Sequence, residues 1–184
     1  MLKMMDDCRK IGFRELVKSD LARLGPVSFR SFLKHYFVPR GGSFPYVVWL
    51  RVEQCLRRGG WIKRFLGAVF YVIYRHYEFK YGIHANPNIE IGAGLLVVHG
   101  EGVHLNCERI GANLTIYQGV TLGIQDGKCP IVEDDVTIYP NAVIVGGVRL
   151  GKGCVVGALS YVSHDVPDGV TVVGAPAHAI SSKF

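Results

Sequence analysis

Between Val132 and Pro167 an aliphatic residue returns at every sixth position: Val132, Ile138, Ile144, Leu150, Val156 and Val162. Four places further on in each unit the residue is small or branched: Val136, Ala142, Val148, Cys154, Ser160 and Val166. An α-helix cannot use this period, because about 3.6 residues per turn would walk the aliphatic positions round its cylinder. A coil with three short flat sides can use it. Each aliphatic side chain then points inward and stacks on its equivalent in the next coil. The period predicts a mainly β fold, a left-handed parallel β-helix.

The same pattern begins near Ala85, with Ile91, Val97 and Val103 as aliphatic positions and Ile89 and Leu95 at the second inward place. The phase slips by one at Glu108-Arg109 and resumes at Ile110, Ile116 and Leu122. Ten residues then separate Leu122 from Val132, four more than one unit. The excess must leave the coil, which predicts a protruding loop over residues 124–130 (IQDGKCP). A loop escaping a rigid scaffold is a candidate functional element. After Pro167 the pattern dissolves into DGVTVVGAPAHAI, as expected for a terminal cover over the last coil.

Residues 1–80 have a different character. They carry sixteen Lys and Arg against six Asp and Glu, a net of +10, whereas residues 81–184 carry five against nine, a net of −4. The shift near Phe79 to Gly82 marks the boundary between a helical region, 1–80, and the β-helix, 81–184. Residues 1–25 read as helical and stop at Gly25-Pro26; Val27 to Phe37 is a basic aromatic segment, and Pro39-Arg-Gly-Gly is a loop. A second helix is expected over Tyr46–Arg58. A third carries a stripe of Trp61/Ile62, Phe65/Leu66, Val69/Phe70, Ile73/Tyr74 and Tyr77. Its apolar run is too short to cross a bilayer, which needs about twenty residues. The expectation is that the stripe packs on the other helices and the first coil. The alternative is contact with a membrane surface through residues 1–80, since basic helices with Trp and Tyr can lie on anionic lipid. A nucleic-acid partner is not expected: the charge is present but no recognised motif accompanies it.

Five cysteines form no zinc-like spacing, and their number is odd. The first residues, MLKMMDDCRK, lack the apolar core of a secretory signal. Reduced thiols and a cytoplasmic location follow as expectations, with a peripheral position at the inner membrane face as the variant.

Residues 81–180 contain GIHANPNIEIGAG, LLVVHGEGV, QGVTLG, CPIVEDDVTIYPNAVIVGGVRLG and VVGALSYVSHDVPDGVTVVGAPA. In these pieces the chain resembles the serine acetyltransferase branch of the hexapeptide acyltransferases. Residues 1–80 are more loosely similar to the helical preface of small bacterial polysaccharide acetyltransferases of the colanic acid type. The resemblance implies a homotrimer with active sites between neighbouring subunits and acetyl-CoA as co-substrate, with no metal. It puts the general base on His99, which would take the proton of an acceptor hydroxyl as the hydroxyl attacks the thioester. Imidazole suits that transfer at neutral pH. Main-chain groups at Gly123, Pro140 and Ala158 would hold acetyl-CoA, with Lys152 near its phosphates. Pro140 lacks an N–H and can only accept. His84, Lys128 and Cys129 are the substrate-binding candidates.

The departures from that family point away from serine. Gly82 stands where an Asp precedes the Ile-His pair, Val98 where an Asp precedes the base, and Cys129 where a second His precedes Pro. Glu101 is then the nearest carboxylate to orient His99. With no matched counter-charge for an amino acid, the expected acceptor is a glycan precursor hydroxyl, and serine in a cysteine-forming route is the alternative. From another class, His99 and His104 with His84 could make the zinc site of a γ-type carbonic anhydrase. A non-catalytic scaffold is the third reading.

Overall fold

The computed structural model describes residues 11–38 and 42–180. The part of the first expected helix over residues 1–10 and the loop at Pro39, Arg40 and Gly41 lie outside the described residues. Among the described residues four helices come first: α1 (Phe13–Ala22), α2 (Phe29–Phe37), α3 (Phe44–Arg57) and α4 (Trp61–Tyr81). The basic aromatic segment is thus a helix, α2, started by Ser28, whose Oγ accepts a hydrogen bond from Ser31 N at 3.1 Å. Gly82, left-handed at φ 61°, ends α4, and the first strand begins at Ile83.

Three sheets then form the sides of a prism. The first holds β1 (Ile83–Ala85), β4 (Val103–Leu105), β7 (Thr121–Gly123), β10 (Val143–Val145) and β13 (Tyr161–Val162). The second holds β2 (Glu90–Ile91), β5 (Arg109–Ile110), β8 (Ile131–Val132) and β11 (Arg149–Leu150). The third holds β3 (Leu96–Val98), β6 (Thr115–Tyr117), β9 (Thr137–Ile138), β12 (Val155–Val156), β14 (Thr171–Val173) and β15 (His178–Ile180). All pairings between these strands are parallel except β14 with β15, which turns back antiparallel over the last coil. The fold is a parallel solenoid.

Its register explains the sequence pattern. Val132 pairs with Leu150, and Ile138 with Val156, each eighteen residues on: three six-residue sides per turn. Ile110 pairs with Val132, and Ile116 with Ile138, each twenty-two on, so four residues do leave the coil before Val132. The early slip is more complex than the expected single step. Leu105, not Val103, pairs with Leu122 and with Ala85. The corner after Val97 therefore carries two extra residues, and the next side is one residue short. Val103 is still fully buried, in register with Ile83. The inward aliphatics are buried throughout; each such side chain contributes about 1.5–3 kcal/mol.

The helical region closes the open end of this prism. Tyr46, Val47, Leu50 and Tyr74 join the solenoid's core. An open first coil would leave strand N–H and C=O groups bare, and buried helix side chains meet them. Arg51 donates to Ile91 O at 2.7 Å and Gly92 O at 2.6 Å. Gln54 donates to Ile89 O at 2.8 Å, and Asp20 accepts from Leu95 N at 2.8 Å. Tyr74 donates to Ala85 O at 2.5 Å, and Glu78 accepts from Ala85 N at 3.3 Å. The apolar stripe of α4 is only half covered. Phe70 and Tyr77 stack on Trp49 and Tyr74 is buried, but Trp61, Ile62, Phe65, Leu66 and Val69 are exposed. The predicted packing of the whole stripe is thereby corrected: α3 spans one side of α4 and no described element spans the other.

Candidate active site

His99 stands in the two-residue excess, at the corner where the third sheet gives way to the first. Its backbone is left-handed at φ 52°, a conformation uncommon outside glycine, and its side chain is exposed. The helical region holds the corner from below. Gly82 O accepts from Gly102 N at 2.9 Å and from Val103 N at 3.2 Å. Ser43, just before α3, donates its N–H to Val97 O at 3.4 Å, and Gly42 bridges Val98. Gly100 is buried so tightly that a Cβ there would strike Ile83 Cδ1 and Ser43 Oγ. The backbone at His99 is therefore fixed while its ring faces outward, which is what a base needs.

The corner repeats up the solenoid. Gly119 N donates to Glu101 O at 2.9 Å, Asn141 N to Gln118 O at 3.0 Å, and Leu159 N to Pro140 O at 3.0 Å. Pro140 and Ala158 thus lie in one column with His99, two and three coils away. At about 4.8 Å per coil the column runs about 14 Å from His99 to Ala158. Exposed Leu159, also left-handed at φ 59°, and half-exposed Tyr139 line it with apolar surface. That is a track on which an extended ligand arm could lie.

The other candidates fall elsewhere. Gly123 ends β7 at the far edge of the first sheet, opposite Val145. The loop beyond it is a tight hairpin: Gln125 and Lys128 exchange two backbone hydrogen bonds, at 3.1 and 3.0 Å, around Asp126 (φ 52°) and Gly127 (φ 71°). Two successive positive φ values make the Asp-Gly turn expected of such a hairpin. Lys128 folds over Gly147, and a cleft of about 310 Å³ is lined by Gln125, Lys128, Ser163 and His164. Lys128 and Cys129 therefore sit across the first sheet from His99, and a single chain does not unite them. Lys152 is farther still, on the corner between the second and third sheets, where its Nζ lies 3.7 Å from Asp135 Oδ2.

His84 faces outward from β1, two residues beyond Gly82. Its ring stacks on His104 at 4.8 Å, and its Nδ1 lies 3.8 Å from Glu78 Oε1. Both histidines are off the His99 column, and a cavity of about 430 Å³ beside His84 is lined by Tyr71, Arg75, Asn86 and Asn106. No group of three His, Cys, Asp or Glu side chains placed to hold a metal ion is found among the described residues of one chain. Glu101 and His99 share no hydrogen bond or ion pair among those of the described residues. Burial pushes the Cys107 and Cys154 thiols up to about 12, which keeps both protonated and inert.

Two polar groups at the corner were not singled out from the sequence. Ser43 Oγ and Gln118 Oε1 are buried without a hydrogen-bond partner. Ser43 touches the corner only through tertiary packing. Gln118 opens the QGVTLG piece, and its place one coil above Glu101 follows once the register is known.

A model of the bacterial transferase hexapeptide, six repeats, matches residues 129–164. The serine acetyltransferase of Bacillus licheniformis is 43% identical over 109 residues, covering 56% of this chain and 50% of that protein. That of Bacillus pumilus is 40% identical over 124 residues, covering 64% of this chain and 57% of that protein. The chain thus spans little more than half the length of these relatives. The solved structure of Neisseria gonorrhoeae serine acetyltransferase in complex with serine aligns with a TM-score of 0.75 at 26% identity, over 98% of this chain and 72% of that one. The soybean serine acetyltransferase apoenzyme aligns with a TM-score of 0.76 at 29% identity, over 91% and 69%.

Proposed function

We propose that this chain is an acetyl-CoA-dependent O-acetyltransferase, with His99 as general base and serine as acceptor. The observation that carries the reading is the rigid corner: His99 is presented outward at one end of a column that also holds Pro140 and Ala158. The likeness to serine acetyltransferases supports the acceptor, in place of the glycan that residue identities alone favoured.

In this reading His99 takes the proton from the acceptor hydroxyl as the oxygen attacks the thioester carbonyl. The tetrahedral intermediate collapses, the C–S bond breaks, and the CoA thiolate leaves with the proton returned from the imidazolium. The acetyl group moves directly, so Cys129 has no covalent role. Main-chain groups along the column, at Pro140 and Ala158, would receive the pantetheine arm. The assembly is a homotrimer. Its geometry gives the hairpin a role: Lys128 and Cys129 are remote from His99 in their own chain, and a neighbouring copy would carry them to it. Gly123 belongs with that hairpin edge. The protein works in the cytoplasm, with its helical region free to meet the inner membrane face.

A sugar hydroxyl is the second reading, favoured by one specific observation. The corner offers Gly82 and Val98 where the serine-using family carries carboxylates, and a serine ammonium would need a counter-charge from elsewhere. An acetyl-CoA consumption screen with serine and nucleotide-sugars side by side tests the choice. Turnover with serine is expected; turnover only with a sugar overturns the serine assignment, and none with any acceptor overturns acetyl transfer.

A further inference from the structure

Helix α4 packs on α3 and the first coil through Gly67, Phe70, Tyr74 and Glu78. Its opposite face carries Trp61, Phe65, Val69, Val72 and Phe79, spaced by three or four residues or one double turn. Water reaches these side chains freely: Trp61 is 80% exposed, Val72 71%, Phe65 70% and Phe79 68%. From Trp61 to Phe79 the stripe runs about 27 Å. No helix among the described residues is long and apolar enough to cross a membrane.

The charges around the stripe are sorted by sign. Residues 11–80 contain four acidic side chains: Glu15, Asp20, Glu53 and Glu78. Three of them are buried against arginines, Asp20 with Arg51, Glu53 with Arg57 and Glu78 with Arg75. Only Glu15, on α1, is exposed. Exposed Lys80 lies at the stripe's end, while exposed Arg58 and Lys63 lie on the side toward α3, where they line a cleft with Gln54 and Cys55. Helix α2 extends the same composition: it meets α4 where the Tyr36 and Tyr77 hydroxyls lie 3.4 Å apart, and it exposes Phe29, Arg30, Lys34 and Phe37. Among the described residues, the outer surface of the helices is aromatic and cationic, with almost no negative charge.

We propose that this face of α4, with α2 beside it, docks on an anionic phospholipid surface. A large apolar face rimmed by cations is what an interfacial helix presents to acidic headgroups. A symmetric contact with a second copy would set the same cationic rims against each other, so charge complementarity selects lipid over self-association. The inference gives the peripheral placement its surface and lipid class, and it stands apart from the acetyl-transfer reading.

The test is flotation of the full chain with vesicles of phosphatidylcholine alone and of about three parts phosphatidylcholine to one phosphatidylglycerol. The anionic vesicles should carry the protein up, shift its tryptophan emission to the blue, and release it as salt is raised. Changing three exposed residues together, Trp61→Ser, Phe65→Ser and Val72→Ser, should lower the bound fraction about tenfold. Lys34→Glu with Lys80→Glu should weaken binding to the anionic vesicles alone. Failure of the parent to float, or equal flotation by the triple variant, overturns the proposal. So does light scattering showing a larger particle for the parent than for the triple variant without lipid, which assigns the face to protein contact. Acetyl transfer by the parent, measured in the same samples, reads the success of the enzymatic reading separately.

Discussion

A side chain on Gly100 has nowhere to go, since Ile83 and Ser43 already fill the space its Cβ would need. Gly100→Ala must displace the buried Ile83 and Ser43 side chains, at a cost of about 1–3 kcal/mol. Gly100 follows His99 directly, so strain that reaches the corner backbone re-aims the imidazole. The expected result is a modest fall in melting temperature with a much larger fall in acetyl-CoA turnover; an equal loss of both would make the corner merely structural. The VVHGEG piece singles out His99 only through its resemblance to a known base. The left-handed backbone of His99 was not legible, because the pattern shows only the net slip. Two residues inserted after Val97 and one lost after Leu105 look like a single step downstream.

Among the elements, α3 bears the burden of closing the solenoid. Arg51 is fully buried, paired with Asp20 at 2.9 Å, and also spends donors on two carbonyls of the first coil. Removing one partner of such a pair leaves the other charge stranded, a loss of about 3–5 kcal/mol. Arg51→Ala should lower the urea midpoint accordingly, whereas a change below about 1 kcal/mol would mean the pair is solvated. The strands were legible from period alone, since Val132 to Val162 repeat what the register demands. This cap was not. An Arg in a helix pattern reads as a solvated charge until Ile91 O and Gly92 O are seen beside it. Helix α2 was missed for a smaller reason: its cap, Ser28, is followed by residues with no long apolar period.

At the scale of the whole molecule, a polar-faced prism and an apolar, cationic helical end divide the work. The prism supplies a straight column along which His99, Pro140 and Ala158 line up. The hairpin at Gln125–Lys128 stands across a sheet from that column, and in the proposed reading a neighbouring copy brings it to His99. The sequence told of the protruding loop by counting residues, yet its distance from His99 depends on which corner each occupies, and period does not label corners. The direct measurement is CoA release with serine by the purified protein and by His99→Ala, compared at equal concentration and matched folded fraction. Release that falls by about 10²-fold or more in His99→Ala is the predicted result, and unchanged release would contradict the assignment of the corner as the catalytic centre.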